Sequence, residues 1–81
     1  MTMPLNWETA EERSQWIKAN ADGFTIIRFL GRGKYERHEH KQLESARTEA
    51  HALSKETGKV YMIYATAGIY DTWLESVGPN G

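Results

Sequence analysis

The chain has 81 residues, 40% of them hydrophobic and 26% charged, and a formal net charge of −1. A single hydrophobic core fits this length, and the apolar fraction is too high for wholesale disorder. Cysteine is absent, which excludes disulfides, thiolate metal sites, iron–sulfur ligation and cysteine nucleophiles. Small secreted domains are ordinarily stapled by disulfides, so the composition predicts a reducing cytoplasm, bacterial or phage. Met1 to Trp7 shows neither the basic nor the apolar stretch of a signal peptide, and no apolar run nears the ~20 residues of a membrane span. The expectation is one domain over 1–81, with a core from about 5 to 77 and a frayed tail at 78–81.

The first helix is predicted from about Trp7 to Asn20. Asn6 can cap it, with Leu5 and Ala10 as a hydrophobic staple; Thr9 with Glu12 makes an alternative capping box. Ala10, Trp16 and Ile17 form a modest apolar stripe, and Gly23 stops the helix. Phe24–Leu30 is rich in β-branched and aromatic residues and reads as a buried strand. Gly31–Lys34 supplies a turn whose glycines permit positive φ. Tyr35–His40 alternates in charge with almost no apolar content, which suits an exposed edge strand.

Gln42 to Thr57 is the strongest helix signal. Leu43, Ala46, Ala50, Leu53 and Thr57 recur on one face, and the alanines imply close approach to a sheet. Gly58 ends it. Val60–Ala65 is a second apolar strand, Thr66–Gly68 a turn, and Tyr70–Val77 an alternating fourth strand.

The order is therefore α-β-β-α-β-β, an α+β fold with a four-stranded, mainly antiparallel sheet. The two most apolar strands belong at its centre, which favours the strand order 2-1-3-4. A β-grasp-like order, 2-1-4-3, is the alternative. Either way both helices cover one face of the sheet and leave the other to water or a partner.

Function is less legible. Three Trp, four Tyr and two Phe are many for a one-sided core. Tyr61 and Tyr64 must point to opposite faces, as must Tyr70 and Trp73, so some rings fall on the uncovered side. These four residues are the candidate partner-binding set, because Tyr and Trp carry binding energy at interfaces. Cross-strand aromatic pairing that merely stabilises the sheet explains them equally well. The reading that follows is a non-catalytic protein-interaction module that binds a protein partner or itself, as a homodimer.

The alternative is nucleic-acid binding. Arg28, Arg32, Lys34, Arg37 and Lys41 cluster around Tyr35, and such a ribbon can follow a phosphate backbone. Glu36 and Glu39, interleaved among them, would repel the same ligand and point instead to cross-strand ion pairs. Gly31-x-Gly33 joins two strands and lacks a third glycine, so it is no nucleotide-binding fingerprint. His38 and His40 share one side of a strand and are the only candidates for a metal site, but a third ligand is missing from the pattern. No cofactor is implied. The serines and the two aspartates, Asp22 and Asp71, suggest no nucleophile–base pair, so the sequence is not read as an enzyme.

Overall fold

A computed structural model describes residues 9–80. The elements are α1 (Ala10–Ala19), β1 (Gly23–Gly31), β2 (Lys34–His40), α2 (Leu43–Thr57), β3 (Tyr61–Ala67) and β4 (Tyr70–Val77). The strands form one antiparallel sheet in the order β2-β1-β3-β4. The favoured order is thus the one adopted, with the apolar strands β1 and β3 central and charged β2 at an edge. No helix among the described residues is long and apolar enough to cross a membrane.

Thr9 caps α1, its hydroxyl accepting from the Glu12 amide at 3.1 Å. The alternative start at Thr9 is therefore the one adopted, and Asn6, Leu5 and Trp7 lie outside the described residues. Ala10, expected in the apolar stripe, is the first residue of the helix and is exposed. Ile17 alone is fully buried, flanked by Trp16, and packs on Ala65 and Ala67 of β3. The helix α2 stops on Gly58, whose φ of 73° is a left-handed cap that glycine adopts without a Cβ clash.

Ala46, Ala50 and Ser54 of α2 follow one another at four-residue spacing and are all buried. They face Ile26 of β1, Tyr61 and Ile63 of β3 and Val77 of β4. Small side chains here let the helix sit low on the sheet. The Ser54 hydroxyl donates to the Lys59 carbonyl at 2.5 Å, so its burial leaves no orphaned polar group. Thr57, expected on the same face, is instead exposed and donates back to the Leu53 carbonyl. Phe24 and Leu74 touch both the α1 and the α2 clusters and join them into one layer.

Both hairpins are tight. Arg32 and Gly33 link β1 to β2 with φ of 54° and 73°, the two positive values that a primed two-residue loop requires. The second hairpin turns at Gly68 and Ile69, not at Thr66–Gly68, because Thr66 still pairs with Gly23 and Asp71 and Ala67 with Tyr70. A register shift at Ile63/Tyr64 marks a bulge in β4. It inserts Leu74 so that this side chain joins the helix-side core while Trp73 points away.

Candidate functional site

The register assigns every strand residue to a face. Odd-numbered residues of β3 (Tyr61, Ile63, Ala65, Ala67) lie under the helices, together with Phe24, Ile26 and Arg28 of β1 and Glu36, His38 and His40 of β2. The opposite face carries Thr25, Ile27 and Phe29, then Tyr35, Arg37 and Glu39, and Met62, Tyr64 and Thr66. From β4 it takes Asp71, Trp73 and Ser76. No described helix packs on this second face.

β2 is the edge strand its charge suggested, but its helix-side residues Glu36, His38 and His40 are part-buried. Glu36 accepts from the Arg28 guanidinium at 3.2 Å and contacts His38 Nε2 at 2.6 Å. The Glu49 carboxylate of α2 meets His40 Nε2 at 2.7 Å and lies 3.7 Å from His38 Nδ1, while His40 Nδ1 is 3.1 Å from the Ser45 hydroxyl. The Arg28 guanidinium also lies over the Tyr61 ring, 5.5 Å from its centroid. The network ties the first half of α2 to the sheet edge, with each charged group satisfied by its neighbours. His38 and His40 are accordingly part-buried, whereas His51 faces solvent. Among the described residues no three His, Asp or Glu side chains converge so as to hold a metal ion.

The hydrogen bond from His38, reinforced by the Arg28 charge, holds the Glu36 carboxyl below its ordinary value of 4.5, outweighing the opposing effect of burial. A carboxyl depressed in the folded state contributes stability above its unfolded value and loses that contribution as pH falls through the folded one. Acidification below about pH 4.5 should therefore lower the urea midpoint of the wild-type chain more steeply than that of Glu36→Gln. At neutral pH the variant should be the less stable of the two. Parallel pH profiles would show that this network contributes nothing to folding.

The open face is different in kind. Phe29, Trp73 and Tyr35 retain 65%, 50% and 48% of their accessible surface, far more than core aromatics keep. Phe29 and Tyr35 pack edge-to-face, centroids 6.2 Å apart, and Arg37 lies 6.0 Å from the Tyr35 centroid. Thr25 is buried as the floor of a shallow groove between the Phe29–Tyr35 pair and Tyr64. Two complete rows cross the sheet side by side: Glu39–Thr25–Tyr64–Trp73 and Arg37–Ile27–Met62–Ser76. The charges on this face are Arg37 and Glu39, joined by an exposed pair at 3.3 Å, and Asp71.

No protein-family model, curated protein or solved structure matches the chain.

The predicted partner set divides. Tyr64 and Trp73 stand on the open face, but Tyr61 is fully buried beneath α2, and Tyr70 packs against the α1 cluster, where Arg13 lies over its ring. Tyr61 and Tyr70 thus belong to the helix-side layer because of their strand parity. In their place the face gains Tyr35, from the basic hairpin, and Phe29, read as a buried strand residue. The hairpin cations divide too. Arg28 is engaged beneath the sheet, Arg37 stands on the open face beside Glu39, Arg32 sits at the turn, and Lys41 follows the end of β2. They do not line one continuous surface.

Proposed function

We propose that this chain is a non-catalytic protein-interaction module that works through the open face of its sheet. The observation that carries this reading is the exposure of Phe29, Tyr35 and Trp73 together, on a face with Ile27, Met62 and Tyr64 between them. Aromatic anchors set on a rigid sheet bind at little entropic cost, and the short polar residues around them suit a rim. Charges of both signs on the face favour a protein surface over a phosphate backbone, which requires an excess of cations. The histidines and glutamates elsewhere satisfy one another and serve to hold α2 in place.

Affinity capture from cells of the chain's own host tests the reading. A Phe29→Asp/Trp73→Asp double variant should lose the retained proteins by at least about tenfold, while the solvent-side control Lys55→Asp retains them. Circular dichroism must show both variants folded. An unchanged retained set would overturn the reading. So would salt-sensitive binding of mixed single-stranded DNA or RNA that survives the face variant and disappears on Arg32→Ala with Lys34→Ala, which would mark a nucleic-acid binder instead.

A further inference from the structure

Resting on that reading, we infer that the occupant of the open face is a second copy of this chain, related by a two-fold axis that crosses the strands between the Thr25 and Ile27 rows. The two rows are complementary to each other. Inverting the sheet about such an axis lays each row over the other row of the partner copy. Arg37 then meets Glu39 of the partner copy, and Glu39 meets Arg37, so one ion pair within a strand becomes two across the interface. Tyr64 falls over the shorter Met62, and Trp73 over the short Ser76. Every tall side chain in these pairs meets a lower one, which is what interdigitating sheets about 10 Å apart require.

Self-complementarity of this kind is the signature of an isologous contact, in which residue i touches j and j touches i. A different partner would place no such demand on the two rows of a single surface. A net charge of −1 also leaves little repulsion between copies. Strand directions in the two sheets would run antiparallel to within about 30°, the angle that sheet twist imposes on aligned packing. The Arg37–Glu39 pair is exposed in the isolated chain, where such pairs contribute little. Covered by a partner, the same two groups set register and specificity.

Sedimentation equilibrium on the full chain and on charge-swapped variants tests the geometry. Both residues are exposed, so the swaps leave the fold intact. The wild type should dimerise. Arg37→Glu alone sets Glu against Glu, and Glu39→Arg alone sets Arg against Arg, so each should weaken association by at least about tenfold. An equimolar mixture of the two single variants should restore the dimer as a heterodimer, and the double swap should restore it within one chain. Single swaps that associate like the wild type, or a mixture that fails to recover, would overturn the proposed register. A wild type that stays monomeric would overturn self-association. In that event, host proteins lost on Phe29→Asp/Trp73→Asp would leave the interaction module standing with another partner. No such loss would remove both readings together.

Discussion

Replacing Tyr61 by Ala is expected to cost about 3–5 kcal/mol, the range for deleting a buried aromatic ring. A domain of 81 residues holds only about 4–12 kcal/mol in total, so Tyr61→Ala should remove about a quarter or more of the stability and lower the urea midpoint accordingly. The cost has identifiable parts. The ring is fully buried between Ala46, Ala50, Ile63 and Val77, and small neighbours cannot collapse into the space it leaves. It also supports the Arg28 guanidinium, which pairs with Glu36. Tyr61→Phe separates these contributions, because it keeps the ring and removes only a hydroxyl 3.5 Å from the Glu36 carboxylate. That bond is long, and its loss should cost no more than about 1 kcal/mol. Urea unfolding of the three chains checks the order. A Tyr61→Ala chain as stable as wild type would mean that Tyr61 is not a core residue, and the helix-side assignment of β3 would fall with it.

Tyr61 also shows where the sequence was legible and where it was not. Alternation required Tyr61 and Tyr64 to lie on opposite faces, and they do. Which one lay inside was not decided by hydrophobicity, since the run Val60–Ala65 is apolar at every position. A finer signal was present. Ala65 and Ala67 are small enough to sit beneath α1, and Thr66 between them is polar, so the odd-numbered residues had to be the covered ones. Alternation on β1, where the even-numbered residues are the covered ones, puts Phe29 opposite Tyr35 on the open face, where no count of β-formers could place it.

The strands, the order 2-1-3-4 and the low helix on its alanine stripe were all readable, because each rests on local chemistry repeated along an element. The partial burial of His38 and His40 was not. Their strand reads as a solvated edge, and only the position of α2 brings Glu49 to them, nine residues beyond His40. In retrospect the alternation Glu36-x-His38-x-His40, followed by a helix carrying Glu49, contains both halves of the network. Nothing in the period of either element specifies that the halves meet. Tertiary placement supplies that, and the Ala46 and Ala50 contacts fix the placement.

The same dependence makes Ala50 the most informative helix position. Ala50→Leu should destabilise the domain by about 1–3 kcal/mol, the cost of forcing extra methyl groups into a packed core. Ala50 is fully buried against the sheet, so a larger side chain there must lift α2 or displace Ile26 and Ile63. Lifting the helix draws Glu49, the preceding residue, away from His40, a contact now made at 2.7 Å. The histidine ring resonances of Ala50→Leu should therefore shift along with its urea midpoint. Ala52→Leu provides the control, since Ala52 is exposed on the same helix and should change stability by no more than about 0.5 kcal/mol. If the two substitutions behaved alike, close approach of an alanine face would not be what sets the helix–sheet spacing. The coupling of that spacing to the His38–His40 network would then have no physical basis.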